Sequence, residues 1–160
     1  GVVATAGAAP CDTFGGRPDD PPHGAVVHAT AVAYRGRGLL IRGPSGSGKS
    51  ALALELIVRG AALVSDDRTV LSAVGGELRA AGLIEARGVG LLRLPFELDA
   101  PVVAVADLGE PESARLPPLR TTALCGHDVA LYRRIEGAHF APALLLALAF
   151  PPIDPDADAR

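Results

Sequence analysis

Residues 25–34, AVVHATAVAY, alternate along the chain: Ala25, Val27, Ala29, Ala31 and Ala33 on odd positions, Val26, His28, Thr30, Val32 and Tyr34 on even ones. A period of two predicts a half-buried strand with His28 on its more polar face. RGRG (35–38) then reads as a turn and LLIR (39–42) as the next strand. SALALELIVRG (50–60) is almost wholly apolar, which predicts a deeply buried helix stopped at Gly60. AALVSDD (61–67) reads as a buried strand ending in two carboxylates, and RTVLSAVGGELRAA (68–81) as a hairpin turning at Gly75-Gly76. PVVAVADL (101–108) and DVALYRRI (128–135) predict further strands, and FAPALLLALAF (140–150) a buried helix. Strand, loop, helix, strand is an α/β opening, and the later hairpins make the expected sheet mixed rather than purely parallel.

The flanks differ in kind. Residues 1–23 and 151–160 are rich in Gly, Pro and Asp, and read as a flexible leader and tail around one domain, 24–150. At 160 residues, 49% hydrophobic and 21% charged, the chain is long enough to bury a core. A net charge of -3 without a basic tail argues against nucleic acid as the main partner. The 140–150 run falls short of the roughly 20 apolar residues that a bilayer span needs, and the opening has no signal-peptide pattern. Cys11 and Cys125 cannot build a disulfide framework, so a reducing cytoplasm is the expected location.

The chemistry concentrates at GPSGSGKS, residues 43–50, the pattern of a phosphate-binding loop. Gly43, Gly46 and Gly48 would let backbone N–H groups turn inward, with Pro44, Ser45 and Ser47 between them. Lys49 would reach the outer phosphates and the Ser50 hydroxyl a magnesium ion. The chain has fourteen Arg and one Lys, and that Lys is Lys49. A compact ammonium suits a phosphate nest where a planar guanidinium does not, so composition itself marks the loop. Asp66 and Asp67 end the strand after the helix, at the edge where open α/β sheets bind ligands. One of them could take the proton of an attacking hydroxyl while the other acts on magnesium or its waters. IEARGVGLL (84–92) adds Glu85, able to complete a magnesium site, and Arg87, able to hold transferred phosphate.

Taken together, VHATAVAYRGRGLLIRGPSGSGKS (27–50), LVSDDR (63–68) and EARGVGLL (85–92) resemble the HPr kinase/phosphorylases of bacteria. The resemblance runs from about His28 to Leu119 and is best from His28 to Leu92. It implies a P-loop mixed sheet with flanking helices, like the HPr kinase C-terminal (PEP carboxykinase-like) domain. The implied activity is ATP-dependent phosphorylation of a serine on HPr, a phosphocarrier of the phosphotransferase system, with magnesium. Asp66 would be the base, and in the reverse reaction the acid; His28 would support it, and Lys49 would hold the phosphates. Ser50 and Glu85 would bind magnesium, Asp67 and Arg87 would support the site, and Arg115 matches a catalytic Arg-Leu pair. The family also implies a homo-oligomer, a hexamer built through its kinase domains.

The family's additional amino-terminal domain has no counterpart here, so a short form with the kinase domain alone is expected. Its PGRN-like loop, tied to dephosphorylation, has no match near LYRRIEGAHF (131–140), which leaves the reverse activity open. Two other readings stay in view. A small-molecule P-loop kinase would need an Arg-rich lid, which no segment supplies. A regulatory nucleotide-binding module would not need the His28, Asp66 and Glu85 set.

Overall fold

In the computed structural model, residues 2–5, 26–66, 69–72, 83–94, 99–124 and 126–155 are described. Tyr34 and Arg37 face each other across a two-residue turn in which Arg35 and Gly36 both take left-handed backbone, with φ of 52° and 75°. That geometry suits the twist of a tight hairpin, here joining β3 (Ala29–Tyr34) to β4 (Arg37–Arg42). The phosphate-binding loop leaves the end of β4 and enters helix α1 (Lys49–Val58); β5 (Ala62–Ser65) follows. β3 pairs antiparallel with both β4 and β5, so those two strands run the same way and end at the same edge.

The long strand β9 (Asp99–Pro111) lies on the other flank of β4, parallel to it. Its opposite edge takes β1 (Val2–Thr5) antiparallel along Asp99–Val102 and β11 (His127–Arg134) parallel from Ala104 onward. β6 (Thr69–Ser72) pairs with β1 and carries β2 (Val26–Val27), while β10 (Arg120–Leu124) pairs with β11. The result is a nine-stranded mixed sheet, as expected. β7 (Leu83–Ala86) and β8 (Gly90–Arg93) form a separate hairpin packed beside α1.

Three expectations change. Val2–Thr5 is not leader: it is a strand inserted between β6 and β9. β3 is not half-buried, since every residue from Ala29 to Ala33 is at most 1% exposed. The alternation there marks side-chain size. The alanines line one core with Leu40, Val64 and Val105, and Val32 lines the other with Leu39 and Ile41. Helix α1 is not deeply buried either. Leu52, Ala53 and Leu56 pack on the sheet while Val58 is 82% exposed, because the helix covers an edge region with one face only.

The predicted stop holds: Ala61 N–H bonds Leu56 O and Gly60 N–H bonds Ile57 O, the paired bonds of a Schellman ending. The carboxyl-end helix α2 (Phe140–Ala149) buries Phe140, Ala141, Leu144, Leu145 and Leu148 against α1, β3 and β4. Arg37 donates to its Leu148 carbonyl at 3.2 Å. Among the described residues, no helix is long and apolar enough to cross a membrane. The Gly75-Gly76 turn, Cys11 and Cys125 lie outside the described residues.

Beyond β9 the chain makes a loop closed at its base by one ion pair. Glu112, its side chain 5% exposed, takes Arg120 Nε and Nη2 on its two oxygens at 3.0 and 3.1 Å. Ala114 N–H adds a third bond. The Arg120 bond foremost, then the Ala114 amide, hold the Glu112 carboxyl below its ordinary 4.5.

Two outcomes are expected from this architecture. A Cβ at Gly38 would stand 2.9 Å from the Pro101 carbonyl on β9, so Gly38→Ala should force the β4–β9 pair apart. Thermal and denaturant melts should show a loss of about 1–3 kcal/mol, the usual cost of overpacking. For Glu112, a pKa lowered by folding means stabilisation that is complete above the unfolded value and fades as pH falls through the folded one. Melts of wild type and Glu112→Gln should therefore differ most near neutrality and converge in acid, below the ordinary carboxyl value of 4.5.

Candidate active site

Apolar strands buried on both faces can carry polar chemistry only where they end, and β4, β5 and β9 all end at one edge. At the end of β4, Arg42 Nε donates to Asp107 Oδ2 of β9 at 3.0 Å, and Asp107 Oδ1 accepts from Gly109 N–H at 2.9 Å. The pair is partly exposed, so its worth in stability is small. Its geometric effect is to tie the base of the phosphate loop to the neighbouring strand.

The loop turns at Pro44, whose carbonyl accepts from Ser47 N–H at 3.0 Å. Gly46 and Gly48 follow with φ of 82° and 97°, conformations that L side chains rarely adopt and that turn the amides into the loop. Gly48 caps α1 without a side chain and the first turn has no acid. The positive end of the helix is thus left for an external anion. Lys49 Nζ lies along the loop and donates to the carbonyls of Gly43 and Pro44 at 2.9 and 3.2 Å.

Asp66 follows β5 and meets the next residue of the motif. Its Oδ1 accepts from Ser50 Oγ at 3.0 Å and from Thr30 Oγ1 at 2.8 Å. The main chain around it is pinned by a buried relay. Ser65 Oγ sits 2.6 Å from Thr69 Oγ1, which itself donates to the Ala29 carbonyl at 2.7 Å. Since Thr69 spends its proton on Ala29, Ser65 is the donor to Thr69.

A cleft of about 660 Å³ opens over these groups. Its floor is the loop and the start of α1, Asp66 lines it, and Ala86, Arg87 and Val89 of the β7–β8 hairpin form the facing wall. Ser45, Gly46, Gly48, Lys49, Ser50, Asp66 and Arg87 thus line one cleft. Glu85 sits on β7, paired with Leu91, one residue before that wall. Its side chain and the whole of Asp67 lie outside the described residues.

Two other candidates stand apart from the cleft floor. His28 is exposed at the break between β2 and β3, and the strand's hydrogen bond to Asp66 comes from Thr30 instead. Arg115 is exposed on the loop that Glu112 and Arg120 close. Sequence reading passed over Thr30, Thr69 and the Arg42–Asp107 pair. A hydroxyl inside an Ala/Val strand was the available signal for Thr30. Nothing local could signal Asp107, whose partner lies on another strand.

The donor set suits a hard cation. Ser50 and Asp66 offer oxygens, and magnesium takes few protein ligands besides water and phosphate oxygens. No group of three or more His, Cys, Asp or Glu that could hold a metal forms among the described residues.

Comparison with known proteins agrees with this geometry. Residues 22–96 match the family model of the HPr Serine kinase C-terminal domain. The HPr kinase/phosphorylase of Clostridium novyi is 43% identical over 75 residues, covering 43% of this chain and 24% of that protein. The one from Mycoplasmopsis pulmonis is 44% identical over 72 residues, covering 41% and 23%. The chain thus spans about a quarter of the length of these curated relatives. The solved Hpr(Ser) kinase/phosphatase from Coxiella burnetii superposes with a TM-score of 0.64 at 25% identity, over 78% of this chain and 88% of that one. The phosphate loop, the acid after β5 and the hairpin wall all lie inside the stretch, residues 22–96, over which this chain is similar to the HPr Serine kinase C-terminal domain.

Proposed function

We infer that this protein is an ATP-dependent protein serine kinase whose acceptor is HPr. The single observation that carries the reading is the 3.0 Å contact between Ser50 Oγ and Asp66 Oδ1, which sets a carboxylate directly beside the phosphate loop. The acceptor follows from the names of the relatives, HPr kinase/phosphorylase and Hpr(Ser) kinase/phosphatase.

In the forward direction a serine oxygen attacks the γ-phosphorus of ATP, the bond from that phosphorus to the β–γ bridging oxygen breaks, and ADP leaves. Asp66 receives the serine proton. Lys49 exchanges the carbonyls of Gly43 and Pro44 for phosphate oxygens, and the loop amides with the α1 terminus hold the same charge. Magnesium, when bound, would neutralise charge building on the β- and γ-phosphate oxygens. Ser50 would hold it, with Glu85 as the second ligand by family likeness. Arg87, which lines the cleft wall, would meet the transferred group, and Asp67 would assist Asp66. His28 and Arg115 join the catalytic set on the resemblance alone. The reverse reaction, phosphate attacking phosphoserine with Asp66 as acid, and a hexameric assembly belong to the same proposal.

Labelled ATP, magnesium and HPr together form the direct test. Label on HPr supports the reading; label on a metabolite instead would move the assignment to a small-molecule kinase. Binding of ATP without any transfer would leave a regulatory module. Lys49→Ala should lower kcat by about 10²–10³-fold, the scale for removing one donor to developing charge. Asp66→Asn should retain nucleotide binding in a fluorescence titration while transfer falls about 10²–10⁴-fold, the range for losing a general base. Equal loss of binding and transfer in that variant would remove Asp66 from proton transfer.

A further inference from the structure

Thr30 has no part in the phosphate-loop motif or in the acid pair, yet it makes the shortest hydrogen bond to the carboxylate on which the proposed reaction turns. Its side chain is fully buried at 0% exposure, in the strand that lies between β4 and β5. Its backbone is in register with Ile41, one residue before Arg42 and the loop. The hydroxyl donates to Asp66 Oδ1 at 2.8 Å, and Ser50 Oγ reaches the same oxygen at 3.0 Å. No hydrogen bond from a described residue reaches Oδ2.

One carboxylate oxygen therefore receives both hydroxyls, and the two donors differ in what they can do. Ser50 stands at the start of a helix, and its oxygen is the one that would turn to a cation when nucleotide binds. Thr30 stands on a central strand with no room to move, and its β-branched side chain has few rotamers open to it. Of these two donors, Thr30 is the one that can hold Asp66 in the same place before and after the loop fills.

We propose that Thr30 is the positioning residue of this site: its buried hydroxyl anchors Asp66 by Oδ1 and leaves the Oδ2 edge toward the cleft for the acceptor hydroxyl. The proposal rests on the kinase reading above and adds the device that orients its base. It accounts for a threonine among alanines and valines in a strand that otherwise excludes polar side chains.

Thr30→Val keeps the shape and removes the donor; Thr30→Ser keeps the donor and removes the branch. With ATP, magnesium and HPr, Thr30→Val is expected to lower kcat about 10- to 100-fold, as loss of an outer partner does to an active site. KM for HPr and the affinity for a fluorescent ATP analogue should stay within about twofold, and Thr30→Ser should recover most of kcat. A Thr30→Val enzyme with wild-type kcat would overturn the proposal, and so would Thr30→Ser failing as badly as Thr30→Val, since the branch and not the hydroxyl would then matter. A crystal structure of Thr30→Val decides the point without turnover. Asp66 turned away from Ser50 supports the anchor, and Asp66 unmoved refutes it. If wild type transfers nothing to HPr, the kinase reading fails, and the crystal structure still judges Thr30.

Discussion

The hydrogen bond from Ser50 to Asp66 is the contact on which the site depends, because it joins two segments that the fold brings together from opposite flanks of β3. Ser50 belongs to the turn between β4 and α1, and Asp66 to the exit of β5. Without that contact the chain would carry a phosphate-binding loop and an acidic turn with no chemical relation between them. With it, the phosphate-binding loop and a carboxylate share one cleft.

That contact is possible only because of how the sheet is buried. Residues on β3, β4 and β9 are buried on both faces, in one cluster shared with α1 and α2 and in a second that also takes in Leu124 of β10 and Val129 of β11. No polar group can stand in the middle of such a sheet without a partner. Thr30 and Thr69 are at 0% exposure, and each spends its hydroxyl on a neighbour at the same edge. Arg42 and Asp107 do likewise where the strands emerge into water. The polar groups of the site are thus held by one another, around a loop whose amides turn inward.

The match to the HPr Serine kinase C-terminal domain covers the loop, Asp66 and the hairpin, which are the parts that form the cleft. The likeness to the Coxiella burnetii structure extends over more of the chain, 78% of it. The family match thus takes in the parts that form the cleft, while the likeness in shape covers a longer span.

The phosphate-binding loop was legible because its chemistry admits few substitutes. Gly46 and Gly48 need left-handed backbone, and the single Lys stands where a guanidinium would not fit. The helix stop at Gly60 was legible for a similar local reason. Burial was not. The alternation in β3 looked like a strand with a wet face, yet tertiary packing covered both faces, and it gave Val2–Thr5 a place in the sheet that their composition did not announce. What sequence alone determined was the set of groups whose role lies in their own backbone or charge. Which hydroxyl holds Asp66, and that Asp107 braces the loop, only the tertiary structure decided. Those pairings join residues tens of positions apart, and their partners are set by strand order, which no local pattern encodes.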